Sequence, residues 1–342
     1  MLILNMFYIR LYICFFILSN GLYCQNFQFN LNDRAEVLFL NNAYANTVST
    51  LRLSETFEPS SYYSKNYLIL LSKLRNNETG ADRQLPYYLE KNPISKLGST
   101  LPFDMGNFYF KNNKYSYALK WYRNLNDDQF MNELKDKFNF NKGYSLFHVK
   151  RYSAAKPYLE KVKNTRQYES DAHYYLGHIA YQMDDYINAE SEFSQLDNKF
   201  SSKNDLDYFQ VDMNFKLGRF QQAIDLGNKL LKKSNKLYES DLSKIVGESH
   251  FNLKNYKESL PFLVAYKGIK DKWTNEDFYQ LGYAYYSEKK YDSAIDQFNK
   301  IINQSNSLSQ NAFYHLGDCY LKEEKKIEAL SAFKKASEMN FN

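Results

Sequence analysis

The sequence has few residues able to carry covalent, redox or metal chemistry. Only 3 Cys and 5 His occur in 342 residues. The histidines, His148, His173, His178, His250 and His315, are dispersed, and no Cys-x-x-Cys or His-Glu-x-x-His spacing that would hold a metal is present. His173 and His178 stand five apart on one expected helix and so point to different sides. A glycine-rich phosphate loop is also missing, because the recurring glycines stand singly inside helical stretches. The string Gly247-Glu-Ser-His250 lacks the strand-turn-helix setting of a nucleophile elbow. These absences argue against an enzyme and leave no cofactor or metal to expect.

Charge of one sign is not concentrated anywhere. Lys and Arg number 44 against 39 Asp and Glu, and the two signs interleave without a basic run, which excludes the clustered positive face that nucleic acid requires. Trp is scarce, 2 against 32 Tyr and 26 Phe, yet aromatics make up 18% of the chain. That supplies enough apolar surface for extensive burial and excludes large-scale disorder.

The one long hydrophobic run lies at the start. Arg10 precedes Leu11-Tyr-Ile-Cys-Phe-Phe-Ile-Leu18, followed by Ser19-Asn-Gly21 and Leu22-Tyr-Cys24. This tripartite form resembles a secretory signal peptide, too short for a comfortable span. Cleavage after Cys24 leaves Gln25 first, and an uncleaved anchor, lipidation at Cys24 or a start at Met6 remain open. Membrane contact is expected only if the segment is retained or Cys24 is lipidated. Cleavage removes Cys14 and Cys24 and leaves Cys319 alone, so no intrachain disulfide is expected.

What is abundant is repetition. From about residue 98 onward a helix-pair pattern recurs seven times with a period near 35. Its anchors are Gly106, Gly143, Gly177, Val211, Gly247, Gly282 and Gly317, and a second small residue follows at Ala118, Ala155, Ala189, Ala223, Ser259, Ala294 and Ala329. Small residues at both places let two helices approach closely while aromatics fill the flanking grooves. The exceptions Val211 and Ser259 predict slightly wider helix separation. Pro157 and Pro261, each two residues past the small residue, predict a tolerated kink. Before residue 98, Ala35, Tyr44, Thr47 and Leu51 fall at repeat-like offsets, and residues 62–74 and 81–91 read as further helices.

The clearest repeat, with Leu281-Gly282, Tyr285, Tyr291, Ala294, Phe298 and Ile301, resembles the tetratricopeptide repeat, as do Leu176-Gly177, Ala189 and Phe193, and Leu316-Gly317, Tyr320, Ala329 and Phe333. The resemblance implies an all-α, right-handed α-α superhelix. The expected division is a signal peptide at 1–24, degenerate N-terminal helical repeats at 25–97 and the tandem array at 98–342. The chain stops after a second helix with no polar closing helix, so either further repeats or a partner is expected to cover that end.

In that family the first helices line a concave groove. The resemblance then places there, three residues before each anchor, Phe103, Phe140, Tyr174, Tyr208, Lys244, Tyr279 and Tyr314. One residue after come Asn107, Tyr144, His178, Asp212, Glu248, Tyr283 and Asp318, and four after come Phe110, Phe147, Tyr181, Phe215, Phe251, Tyr286 and Leu321. Aromatics are common at such positions for packing alone. Asp212 and Glu248 suggest an acidic mid-groove favouring a basic partner residue, and no Lys-Asn set for clamping a terminal carboxylate recurs. The expected function is a non-catalytic scaffold binding a protein or peptide, exported to a periplasm or cell envelope. The aromatic, Lys- and Asn-rich composition resembles exported tetratricopeptide proteins of Bacteroidetes-type bacteria. Assembly or self-association through the C-terminal repeat, and glycan or peptidoglycan binding by the tyrosines, are the alternatives.

Overall fold

The computed structural model describes residues 31–53, 65–92, 101–196, 203–233, 238–269 and 271–341. The segment 1–24 read as a signal peptide lies outside the described residues. Backbone contacts divide the chain into two compact halves, 1–165 and 166–342. The first contains α1 (Leu31–Leu40), α2 (Tyr44–Leu53), α3 (Lys65–Arg75), α4 (Ala81–Lys91), α5 (Leu101–Lys111), α6 (Tyr115–Tyr122), α7 (Asn132–His148) and α8 (Tyr152–Glu160). The second contains α9 (Glu169–Gln182), α10 (Tyr186–Ser194), α11 (Lys203–Lys216), α12 (Phe220–Leu231), α13 (Glu239–Asn252), α14 (Tyr256–Ala265), α15 (Asn275–Ser287), α16 (Tyr291–Phe298), α17 (Ser307–Lys322) and α18 (Lys326–Glu338). Among the described residues there is no strand beyond one isolated bridge, Ile269 to Lys272.

Each helix pair closes at its anchor glycine. A Cβ on Gly106 would stand 2.1 Å from the Tyr122 ring, on Gly177 2.5 Å from Phe193, on Gly282 2.9 Å from Phe298 and on Gly317 2.8 Å from Phe333. Gly143 and Gly247 meet Leu159 and Leu263 at 2.9 Å in the same way. In every case the partner lies sixteen residues on, on the second helix. Glycine in a helix costs about 1 kcal/mol relative to alanine, and the large side chain seated over it offsets that cost. The second small residue is buried in all seven repeats.

The fourth repeat exchanges the two roles. Val211 holds the anchor position and Gly227, sixteen residues later, replaces the large side chain. A Cβ on Gly227 would lie 3.5 Å from Val211 Cγ1 and 2.4 Å from Val246 Cγ2. The volume Val211 adds is taken back on the facing helix, where sequence alone suggested wider spacing. Ser259, fully buried, satisfies its hydroxyl by donating to the Tyr256 carbonyl at 2.9 Å. Pro157 and Pro261 sit on exposed positions of α8 and α14, and Ser153 and Lys257 one turn back are exposed too. The carbonyl each ring leaves without a donor therefore belongs to the solvent side of its helix.

The turn between paired helices has one fixed feature, a left-handed residue seven after the anchor. It is Asn113, Lys150, Asp184, Gly218, Lys254, Lys289 and Glu324, with φ between 57° and 72°. The degenerate region obeys the same rule at its first pair: Ala35, Thr47 and Leu51 are fully buried at offsets of zero, twelve and sixteen, and Asn42 has φ 60° at offset seven. The α3–α4 turn is longer, with two left-handed residues, Asn77 and Gly80.

Candidate functional site

Within the first half α3 touches α5 and α5 touches α7; within the second, α11 touches α13, α13 touches α15 and α15 touches α17. In these pairs the first helices of successive repeats adjoin one another directly. Their side chains form a ladder with a simple rule. The aromatic four residues past the anchor packs edge-on or tilted against the aromatic that opens the second helix: Phe110 against Tyr115, Phe147 against Tyr152, Tyr181 against Tyr186, Phe215 against Phe220, Phe251 against Tyr256 and Tyr286 against Tyr291, with ring centroids 5.4 to 6.3 Å apart.

The same aromatic reaches the next repeat at the residue after its anchor. Phe110 meets Tyr144 edge-on at 5.3 Å and Phe251 meets Tyr283 at 5.7 Å. Where that next residue is an aspartate, a tyrosine hydroxyl donates to it: Tyr181 to Asp212, and Tyr286 to Asp318 at 2.7 Å. Much of the predicted groove set is therefore engaged in joining repeats.

Exposure sorts the remainder. Phe103, Phe140, Asn107 and Asp212 are buried, and Asn107 accepts from the Tyr122 hydroxyl at 2.7 Å and the Asn141 amide at 2.8 Å. Tyr144, Tyr174, His178, Tyr208, Tyr279, Tyr283 and Phe215 are half-buried, and Tyr314 is exposed. Tyr208 stacks on Tyr238 at 4.6 Å, and burial followed by Asp212 and Asp241 pushes its phenol far up, so it stays a neutral donor. His178 lies edge-on to Phe209 and Tyr174 at 4.6 Å, and burial lowers it to about 4.

The acidic mid-groove is internally compensated. Lys244 donates to Asp277 at 2.6 Å, approaches Glu248 at 3.8 Å and lies 4.8 Å over the Tyr266 ring. Burial alone would lower its ammonium, but Asp277 and Glu248 raise it. Burial pushes Glu248 above the usual carboxylate range, against the pull of Lys244. Asp212 is covered and bonded by Tyr181. Glu248 is thus matched by a cation, and Asp212 is buried beneath a neutral donor.

Three features escape the repeat register. His315 is enclosed by Tyr283 and Tyr286 at 5.1 Å and Phe298 at 5.6 Å. Lys142 is buried and donates to the carbonyls of Tyr122 and Leu125, both at 3.1 Å, capping the end of α6. A cavity of about 510 Å³ opens between α3, α5 and α7, with an Arg75–Asp104 pair in its wall. Its cations, Arg75, Lys111 and Lys137, are far apart in the sequence and meet only in the fold, so no local signal announced them. Cys319 is buried and its thiol is pushed up to about 12 by that burial, which makes it a filler. Among the described residues no group of three potential ligands could hold a metal, and no helix is long and apolar enough to cross a membrane.

A family model described as "Anaphase-promoting complex, cyclosome, subunit 3" matches residues 262–336. Among solved structures, the chain is similar to YrrB, "a TPR protein with an unusual peptide-binding site", at 20% identity and TM-score 0.44, over 53% of this chain and 92% of that one. It is also similar to MamA, at 20% identity and TM-score 0.38 over 51% of this chain and 92% of that one. A MamA fragment from Desulfovibrio magneticus RS-1 aligns at 18% identity and TM-score 0.30, over 61% of this chain and 97% of that one. No curated protein matches the sequence significantly.

Proposed function

We propose that the chain, whose helix pairs resemble tetratricopeptide repeats, is a non-catalytic scaffold that holds another protein against its first-helix faces, in a bacterial cell envelope. The observation that carries this reading is the series of half-buried tyrosines three residues before the anchor, Tyr174, Tyr208 and Tyr279, continued by the exposed Tyr314. Rigid aromatic surface presented at repeat spacing suits an extended or helical segment, because tyrosine gives contact area at low cost in side-chain entropy. The envelope location is supported by the signal-like segment 1–24. Crosslinking of the tagged full-length protein in its native cells, with fractionation and mass spectrometry, tests the reading. A protein partner linked to the first helices in an envelope fraction is expected, and a chain found in the cytosol with no partner would sink it.

A second reading, self-assembly, has its own observation: Ile327 and Leu330 on the outer side of α18 are 84% and 72% exposed. At the equivalent position of the six earlier repeats, Ile224, Leu260 and Ile295 are buried and Leu119 is half-buried, whereas Lys156 and Glu190 are exposed. A sedimentation mass that rises with concentration and returns to monomer in Leu330→Lys would favour assembly through this face. A monomer at all concentrations would remove it.

A further inference from the structure

The cavity in the first half has an unbalanced charge. Arg75, Lys111 and Lys137 line it together with a single carboxylate, Asp104. Asp104 is buried and already taken, held by the Arg75 fork through Nε at 3.0 Å and a terminal nitrogen at 2.9 Å. The Lys111 ammonium donates to the Arg75 carbonyl at 3.1 Å, and among the described residues neither Lys111 nor Lys137 has a carboxylate within ion-pair distance. Lys137 is half-buried, and burial followed by the nearby Lys111 charge lowers its ammonium, with Asp104 opposing and Arg75 adding to the drop. Lys137, half-buried, and Lys111, exposed at the rim, thus bring two positive charges without an ion-pair partner to one cavity, and the cost of the desolvated Lys137 charge is one that an anionic ligand would relieve.

The rest of the wall narrows the ligand. Phe103, Phe130 and Leu134 stand beside the cations, and the Phe103 and Phe130 rings are 4.7 Å apart. An apolar side chain next to acidic ones would match both surfaces. A single terminal carboxylate would neutralise only one of the two unpaired cations. A phosphate chain offers nothing apolar to set against Phe103, Phe130 and Leu134.

We propose that this cavity binds an acidic peptide segment, two carboxylate side chains flanking an apolar one, which names the class of partner for the scaffold reading on which the inference rests.

The test is fluorescence anisotropy of the full chain with the labelled pentapeptide Leu-Glu-Phe-Glu-Leu, carboxyl-terminally amidated, against its Gln-for-Glu analogue. Binding is expected at low salt and weakens as added salt shortens the screening length to about 8 Å. Lys137→Ala and Lys111→Ala should each weaken it by about tenfold while leaving the unfolding midpoint unchanged. Lys120→Ala, on the groove beside α8, should bind like the parent. Equal binding of the Gln analogue, unchanged affinity in both lysine variants, a requirement for a free terminal carboxylate, or no binding at all would overturn the assignment. Native crosslinks to the first helices without peptide binding would fail the cavity alone. Peptide binding without native crosslinks would fail the scaffold reading alone.

Discussion

At the scale of single residues, the fold depends on contacts that tolerate no added atoms. Gly106 faces Tyr122, itself fully buried and hydrogen-bonded to Asn107 at 2.7 Å, so a methyl group there cannot be met by a side-chain swing. Gly106→Ala should cost about 3 kcal/mol, the upper part of the overpacking range. Gly218→Ala, where nothing lies within 4 Å but φ is 72°, should cost only about 1 kcal/mol of backbone strain. Urea unfolding of both variants checks the contrast, and equal losses would contradict the close-approach account. His178 supplies a second residue-scale prediction. Burial lowers its folded pKa to about 4 from an ordinary 6.5, so below 6.5 the unfolded chain takes up a proton that the folded chain does not. Its share of stability is complete above that value and is lost as pH falls toward 4. The melting midpoint of His178→Gln should therefore fall less than that of the parent over this window.

At the scale of elements, each repeat is a helix pair hinged on one left-handed residue. Lys289 holds φ 59° in that place, a conformation that side chains with a Cβ adopt at a cost of about 1–2 kcal/mol. Lys289→Gly should gain roughly 0.5–1 kcal/mol after the extra freedom of the unfolded glycine is subtracted. A raised thermal midpoint confirms it, and a lowered one would mean that the turn is set by the lysine side chain. The pairing of helices was legible in the sequence because Gly and Ala recur at fixed offsets, and even the first pair followed from Ala35, Thr47 and Leu51. The exchange of Val211 with Gly227 was visible only once the sixteen-residue partnership was known. What periodicity could not give is depth. Asp212 and Tyr144 share a register position, yet Asp212 is buried because Tyr181 reaches over to bond it, whereas Tyr144 packs at the surface against Phe110. Exposure on the first helices is decided by the neighbouring repeat's side chain, which differs at each junction.

At the scale of the whole molecule, the groove residues named by register divide into those that join repeats and those whose rings stay half-buried or exposed on the first helices. Lys244, Glu248 and Asp212 fall in the first group, and the cationic cavity was missed because Arg75 lies on α3, outside the regular array. The central claim is that partner contact runs along the first helices. Its most direct measurement replaces single residues with a photo-crosslinking amino acid in the full-length protein in its native cells. Tyr144, Tyr208 and Tyr314 represent the first helices, and Tyr117 and Ile187, exposed on second helices, represent the outer side. The account predicts adducts to one protein from the first three and none from the last two. Adducts from Tyr117 or Ile187 alone would contradict it.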